Sequence, residues 1–250
     1  MYDPVGQLRS LGRDLSKIPS NRMPLDLKNV CLICVNSYRS FRQNIGTTPI
    51  NDAATMAKCV KYFEYEVYYL HNPHAQRFLE FIDYFFENTQ KNLIVYYVGQ
   101  GTTASDLDNT QPHDFDEAFT FEDGIIYDED MIEHLQCKAP SNKIILITDT
   151  CRQNTCWSIK SPEIKGYTLP ERVISLSASP RSTTSKQMMA LCQSQGIFTF
   201  NLTKELKLHP KITPNELLPK MNSVLSEYVQ DFNVGSSSPE LLDEPIIDYE

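Results

Sequence analysis

Short apolar runs alternate with stretches of helical periodicity along most of this chain. Such runs predict strands at residues 29–36, 64–70, 92–98, 143–148, 172–177 and 196–201. Apolar residues recur at helical spacing between them, as in residues 52–63 and 78–86. Because strands that alternate with helices form a parallel sheet covered on both faces, the pattern predicts an α/β fold with three layers and a mainly parallel central sheet of about six strands.

Two local signals predict smaller elements. Residues 118–121 and 124–127 are short apolar runs joined by Glu122 and Asp123, and they predict a hairpin. Thr213 followed by Pro214 is a typical N-cap and first helical residue, so a last helix is predicted to start there.

The remaining segments set the predicted domain limits. Residues 102–116 and 152–171 lack clear periodicity, and long segments of this kind in a compact domain are usually functional or disordered. The end of the chain is acidic and contains Ser and Pro, which predicts disorder. We therefore predict an N-terminal extension at residues 1–28, one domain at 29–230 and a disordered tail at 231–250.

Composition narrows the class of protein. The chain has 250 residues, 41% of them hydrophobic, and a net charge of −9. No apolar run approaches the ~20 residues that a membrane-spanning helix needs, and the first residues do not resemble a signal segment. The acidic balance argues against nucleic acid and anionic lipid as partners. We expect a cytoplasmic protein that binds neither membrane nor nucleic acid.

The cysteines fit a reducing compartment. Seven are present, and Cys31, Cys34 and Cys59 fall inside apolar or helical patterns, as buried free thiols do. The Cys31-x-x-Cys34 spacing could instead indicate a redox or metal pair. Because residues 29–36 are predicted to form a strand, we favour two structural thiols.

The ends of two predicted strands carry candidate chemistry. They read Val-Gly-Gln-Gly at residues 98–101 and Thr-Asp-Thr-Cys at residues 148–151. Sites in open α/β sheets form beyond the carboxyl ends of the strands. Cys151 could act as a nucleophile if a base and an oxyanion pocket lie nearby. Taken alone, these residues favour a structural cysteine.

Several motifs in order resemble the metacaspase and paracaspase group of the caspase-fold cysteine peptidases (clan CD, family C14). The matching stretches are 49–53 (Pro-Ile-Asn-Asp-Ala), 96–101 (Tyr-Tyr-Val-Gly-Gln-Gly), 106–108 (Asp-Leu-Asp), 114–119 (Asp-Phe-Asp-Glu-Ala-Phe), 126–130 (Ile-Tyr-Asp-Glu-Asp), 149–151 (Asp-Thr-Cys), and 177–179 with 184–185 (Ser-Ala-Ser, Thr-Ser). Together they cover the chain from about residue 29 to the last helix. The resemblance implies a caspase-like sheet and cysteine endopeptidase chemistry.

The resemblance also assigns roles to individual residues. It implies Cys151 as nucleophile and the backbone N–H groups of Gly101 and Cys151 as the oxyanion hole. It implies that Asp52 and Asp149 form an acidic pocket for Arg or Lys of a peptide or protein, which two carboxylates can bind. From the residues alone, Asp52 could equally be a helix N-cap.

Gln100 departs from the family pattern because it occupies the position of the base histidine. A glutamine amide cannot take a proton from a thiol near neutral pH. We therefore predict an inactive or impaired pseudopeptidase that binds partners or basic peptides. The alternative is an active endopeptidase that cleaves after Arg or Lys with a substitute base.

The other histidines are weaker candidates for that base. His113, in the acidic loop, is the nearest substitute along the chain, although an ordinary surface histidine is the favoured interpretation. His71, His74 and His134 are read as ordinary solvated histidines.

Calcium is the one metal that the resemblance suggests. Asp116, Asp128 and Glu129 match acidic positions through which many metacaspases respond to Ca²⁺, and oxygen ligands suit that ion. Ser158 stands where a fourth, aspartate ligand is expected. We expect no required cofactor, with Ca²⁺ as a tentative ligand and a solvated acidic loop slightly favoured. The sequence leaves the oligomeric state open.

Overall fold

The computed structural model describes residues 3–19, 22–23, 25, 27–40, 43–105, 115–138, 142–150, 159, 170–180, 196–228 and 230–248. Its helices are α1 (Pro4–Leu11), α2 (Thr48–Tyr62), α3 (Ala75–Asn88), α4 (Asp128–Lys138), α5 (Ile197–Leu208) and α6 (Pro214–Leu225). Its strands are β1 (Arg13–Asp14), β2 (Leu27–Val35), β3 (Glu66–His71), β4 (Thr89–Gly99), β5 (Gly101–Ser105), β6 (Phe115–Thr120), β7 (Ile125–Tyr127), β8 (Lys143–Thr150), β9 (Val173–Pro180) and β10 (Gln230–Ser236). Two short 3₁₀ helices, Ser226–Tyr228 and Pro239–Asp243, follow α6 and β10.

A central sheet of seven strands organises the domain. Its order is β1-β3-β2-β4-β8-β9-β10, and every pair is parallel except β9 with β10. A separate antiparallel sheet of β5, β6 and β7 follows the carboxyl end of β4. The predicted mainly parallel α/β sheet is confirmed, with seven strands where the sequence indicated about six.

Two hydrophobic cores cover the faces of the central sheet. Residues of α1, α2, α5 and α6 pack on one face, and residues of α3 and α4 pack on the other. The inner strands are apolar throughout because both of their faces are covered. Cys31 belongs to the first core and Cys34 to the second, since residues three apart in a strand point to opposite faces. The two free thiols therefore do not converge on one site.

One predicted strand is wrong. Residues 196–201 begin α5, whose N-cap is Gly196 with a φ of 42°. The buried residues of α5 recur at helical spacing, with Phe198, Leu202 and Leu206 inside and Phe200 outside. The apolar run was too short to distinguish a buried strand from a helix.

Two smaller predictions are confirmed. β6 and β7 form the predicted antiparallel hairpin. The last helix starts after Thr213, whose side chain accepts a hydrogen bond from the Glu216 N–H in a capping box.

The predicted disordered tail is also wrong. Residues 230–236 form β10, which pairs antiparallel with β9 at the sheet edge. Beyond it, Ile246 and Ile247 are buried in the first core. The acidic composition of this segment predicted disorder although it contains apolar residues. These residues are buried only because the segment packs against the central sheet. The domain therefore extends past residue 230. It also includes α1, which packs against α2, and β1, which pairs with β3.

A buried lysine fastens the C-terminal segment to the sheet. The Lys143 side chain, at the start of β8, is only 1% exposed. Its Nζ lies 3.3 Å from Asp248 Oδ2 and donates a hydrogen bond to the Pro245 carbonyl. Burial lowers the pKa of Lys143, and the carboxylate of Asp248 opposes that effect. The ion pair therefore offsets part of the desolvation of this ammonium group.

None of the helices in the described ranges is long and apolar enough to span a bilayer.

We predict that Asp248→Asn lowers the free energy of unfolding by about 1 kcal/mol, because the buried ammonium then lacks its ionic partner. For a domain of this size, that change corresponds to a fall of about 2–4 °C in Tm. Lys143→Met should have a smaller effect, since it removes the buried charge altogether. Thermal denaturation would measure both, with the exposed Lys58→Met as control. An Asp248→Asn variant as stable as the parent would contradict the role of this ion pair.

Candidate active site at the ends of β4 and β8

The two strand ends predicted to carry the site lie side by side. In the parallel pairing of β4 with β8, Val98 is opposite Asp149 and Gly99 is opposite Thr150. Gln100 follows β4 directly, and Asp149 is the penultimate residue of β8. Cys151 lies outside the described residues. The sheet thus brings the predicted base position and one predicted pocket carboxylate to the same edge.

Hydrogen bonds hold Gln100 through both its backbone and its side chain. Its N–H donates to the Tyr38 hydroxyl at 2.7 Å, and its carbonyl accepts from the Tyr97 hydroxyl at 2.9 Å. Its side-chain Nε2 donates to the Gln43 carbonyl at 3.0 Å. The amide of Gln100 is therefore engaged with the backbone of the segment between β2 and α2.

Gly99 allows the two tyrosines to approach the strand end. A Cβ at this position would lie 2.9 Å from the Tyr38 hydroxyl and 3.1 Å from the Tyr97 hydroxyl, closer than a side chain normally permits. Both hydroxyls also reach the carbonyl of Thr120 in β6, at 3.0 and 2.7 Å. Gly101, buried at the start of β5, pairs with Phe119. Its role as an oxyanion donor stays a prediction, because Cys151 is not described.

Asp149 accepts hydrogen bonds at the N-terminus of α5. The Thr199 hydroxyl donates to Asp149 Oδ2 at 2.6 Å, and a backbone hydrogen bond from Thr199 adds to it. The buried Tyr96 hydroxyl lies 2.6 Å from Thr199 Oγ1 and is placed to donate to it. Because the N-cap Gly196 has no side chain, Asp149 supplies the carboxylate that usually stabilises a helix start.

Asp52 lies on the second turn of α2 and reaches the same helix end. The N-cap of α2 is Thr47, so the alternative that Asp52 is an N-cap is wrong. A Cβ on Gly196 would lie only 1.8 Å from Asp52 Oδ1, so the carboxylate fills the space that a side chain there would need. Gly196 is required for this reason as well as for its positive φ.

The two carboxylates influence each other electrostatically. Burial, followed by repulsion from Asp149, raises the pKa of Asp52. Burial raises the pKa of Asp149, although the hydrogen bonds from Thr199 oppose the shift. Within the described ranges, no Lys, Arg or His forms an ion pair with either carboxylate. The raised pKa values mean that this pair of carboxyl groups holds a proton more tightly than exposed carboxyl groups do.

The described histidines have polar partners of their own. His71 is half-buried at the end of β3, where its Nε2 lies 3.0 Å from Ser37 Oγ, and burial lowers its pKa. The expectation that His71 is a solvated histidine is therefore wrong. His74 pairs with Asp123 and His134 with Asp83. His113 lies outside the described residues, so its role as a substitute base stays a prediction.

The predicted calcium ligands are only partly described. Asp128 and Glu129 open α4, and the Asp128 side chain is fully buried. Asp116 lies in β6, but its side chain is outside the described set, as is Ser158. Carboxylate oxygens suit Ca²⁺ chemically, but the described side chains do not assemble a group of three candidate ligands. Calcium binding stays a prediction.

Three residues of this site received no role from the sequence analysis. Tyr38 follows β2 with a positive φ of 58°, which no local pattern indicated. Tyr97 lies within the matched motif 96–101, but the sequence did not indicate that its hydroxyl binds the Gln100 carbonyl. Thr199 fell within a segment predicted to be a strand, where the cap that it forms with Asp149 could not be recognised.

The raised pKa values give a testable pH dependence. A carboxyl whose pKa is raised by folding holds its proton more tightly in the folded state. Its contribution to stability therefore declines as pH rises from about 4, the ordinary carboxyl value, through the raised value. We predict that Asp52→Asn has little effect near pH 4 and raises Tm by a few degrees at neutral pH, because it removes a carboxyl group that burial and the neighbouring Asp149 make costly to ionise.

Thermal denaturation across pH would test this effect, with the exposed carboxylate of Asp130 changed to Asn as the matched control. The difference in Tm between Asp52→Asn and the parent should widen with pH, whereas that of Asp130→Asn should not. A constant or shrinking difference for Asp52→Asn would contradict a raised pKa of Asp52.

Comparison with known proteins agrees with this geometry. The family model for the caspase domain, peptidase family C14, matches residues 28–244. The crystal structure of protein GSU0716 from Geobacter sulfurreducens is similar with a TM-score of 0.58 at 14% sequence identity, over 89% of this chain and 99% of that one. The structure of pro-sf-caspase-1 is similar with a TM-score of 0.55 at 13% identity, over 86% of this chain and 90% of that one.

At these identities the two solved structures support the fold alone. No curated protein sequence matches the chain significantly. The family match nevertheless spans most of the chain, and it includes both strand ends that carry the candidate site. The chain therefore belongs to the caspase domain family of peptidase family C14.

Proposed function

We propose that this protein is a metacaspase-like pseudopeptidase that binds peptides or proteins through Arg or Lys side chains. Asp52 and Asp149 form the binding pocket, Cys151 is the retained nucleophile, and Gln100 occupies the base position. The observation that carries the proposal is the convergence of two carboxyl groups at the N-terminus of α5, with no cationic partner among the described residues. We also propose that the protein acts in the cytoplasm.

A guanidinium or ammonium group would relieve the repulsion between the two carboxylates. Arg presents N–H donors in a rigid fork that matches carboxylate oxygens, and Lys presents a compact charge. Asp149 is already oriented by Thr199, so a basic ligand meets a partly organised acceptor. Binding of the cation would lower the pKa of Asp52 towards its ordinary value.

Catalysis would be impaired because Gln100 cannot act as a base. A positioned general base contributes about 10²–10⁴-fold to rate, and the thiolate of Cys151 would also form less readily. The side chain of Gln100 is engaged with the Gln43 carbonyl, which is a structural interaction. The hydroxyls of Tyr38 and Tyr97 bind the backbone N–H and C=O of residue 100. These hydrogen bonds are therefore compatible with histidine at this position.

Peptide binding tests the pocket without requiring turnover. We predict that the unmodified protein binds an Arg-containing fluorescent peptide more tightly than the same peptide with Gln in place of Arg. Asp52→Asn should reduce this difference about tenfold or more, because one of two charged partners is lost. Fluorescence anisotropy would measure the affinities, with Asp130→Asn as control. Equal affinity for the Arg and Gln peptides would overturn the basic pocket.

Restoring the base tests the pseudopeptidase. We predict that the unmodified protein neither cleaves a fluorogenic Arg peptide nor reacts rapidly with an arginyl chloromethylketone, with or without Ca²⁺. Gln100→His should gain at least about 10²-fold in cleavage, because a base is returned beside Cys151. Gln90→His, exposed near the other end of β4, is the matched control, and Cys151→Ala in the Gln100→His background should abolish the gain.

The same assay separates the competing function. Cleavage by the unmodified protein that Cys151→Ala abolishes would show an active endopeptidase with a substitute base. In that case His113→Ala would test the nearest candidate. If neither the unmodified protein nor Gln100→His cleaves the Arg peptide although both bind it, the proposal that the site lacks only its base is contradicted.

A further inference from the structure

A cavity of about 530 Å³ opens beside Asp52, and both polar and apolar side chains line it. Helices α2, α5 and α6 and the following 3₁₀ turn form its walls. Asn51 and Asp52 line one part, and Phe200, Val224 and Tyr228 contribute apolar surface. Because Asp52 belongs both to this cavity and to the carboxylate pair, the cavity adjoins the proposed basic pocket.

Two large aromatic side chains of this cavity are exposed to solvent. Phe200 is 62% exposed on α5, and Tyr228 is 41% exposed at the end of the 3₁₀ turn. Neighbouring residues of α5, Phe198 and Leu202, are buried in the core, so Phe200 is on the outer side of an otherwise well-packed helix. Exposed apolar surface of this kind is favourably covered by a ligand, at about 25 cal/mol per Å² removed from water.

The size of the cavity exceeds what a single basic side chain needs. Cavities of about 300–1,000 Å³ hold ligands larger than one side chain, and 530 Å³ lies within this range. The Asp52 carboxyl group favours a cationic group of the ligand. The exposed aromatic side chains favour an apolar group. A peptide with a basic residue and a nearby apolar residue supplies both groups on one chain.

We propose that the cavity selects peptides in which an aromatic or branched aliphatic residue lies within two positions of the Arg or Lys. Phe200 and Tyr228 are the residues that determine this second specificity. In an extended peptide, side chains two residues apart project from the same face, which allows both groups to enter one cavity. The inference rests on the proposed basic pocket and adds the apolar half of the ligand.

A panel of fluorescent peptides tests the inference. Each peptide carries one Arg, with Phe placed one or two positions before or after it, and the reference peptide has Gly in place of Phe. A second set replaces Arg by Gln. In the unmodified protein, the best Phe peptide should bind about tenfold more tightly than the Gly reference, as expected from covering one aromatic side chain.

Surface variants distinguish peptide binding in the cavity from non-specific hydrophobic binding. Phe200→Ser and Tyr228→Ser should each reduce the preference for Phe over Gly while retaining the preference for Arg over Gln. Leu208→Ser and Tyr62→Ser are matched controls, because both side chains are at least 60% exposed, lie on α5 and α2, and do not line the cavity. The controls should retain both preferences.

The possible outcomes separate the two proposals. A preference for Arg without any preference for Phe, or a Phe preference that Phe200→Ser and Tyr228→Ser leave intact, would overturn the apolar subsite alone. A Phe preference that these variants remove, without a preference for Arg, would overturn the basic pocket and leave an apolar one. Equal binding of all peptides would overturn both.

Discussion

Parallel pairing of β4 with β8 is the constraint on which the candidate site depends. The register places Val98 opposite Asp149, so Gln100 after β4 and Asp149 near the end of β8 lie at one edge of the sheet. Both strands are covered on both faces by apolar cores, which fixes their position and leaves little freedom at their ends. Polar groups that the chain separates by about fifty residues are thereby held together without any direct bond between them.

Asp149 connects this sheet edge to the helical layer. It accepts hydrogen bonds from Thr199 at the start of α5, and it faces Asp52 from α2. Gly196 makes this convergence feasible, because any side chain there would collide with the Asp52 carboxylate. The same arrangement that orients the carboxylates also makes them repel. Residues arranged for binding are often unfavourable for stability, and this pair has that character.

The surroundings of residue 100 depend little on what its side chain is. Tyr38 and Tyr97 bind its backbone N–H and carbonyl, and Gly99 lets both hydroxyls come close. Because these hydrogen bonds involve only the backbone of residue 100, they would hold a histidine as well as a glutamine at this strand end. In the proposed pseudopeptidase, the change at residue 100 thus removes proton transfer and preserves the fold around the site. The hydrogen bonds around Gln100 and the acidic pair are the structural basis of the proposal that this protein binds basic peptides without cleaving them efficiently.

The sequence by itself determined the central strands, the last helix and the position of the site. Residues 92–98 and 143–148 are apolar runs typical of buried strands, and Thr213-Pro214 carries its own capping signal. The resemblance of the motifs 49–53, 96–101 and 149–151 to caspase-fold peptidases indicated Asp52, Gln100 and Asp149 as site residues. The strand runs and the helix cap are visible in the sequence because hydrophobic periodicity and capping residues are local patterns.

Tertiary structure alone decided the start of α5, the order of the C-terminal segment and the partners of the site residues. The run at 196–201 suits either a strand or a helix, and the cap from Asp149, fifty residues earlier, favours the helix. Residues 230–248 look disordered by composition, but β9 supplies an edge for β10 and Lys143 supplies a partner for Asp248. Long-range pairing and burial decide these features, since their energies depend on elements that meet only in the folded chain.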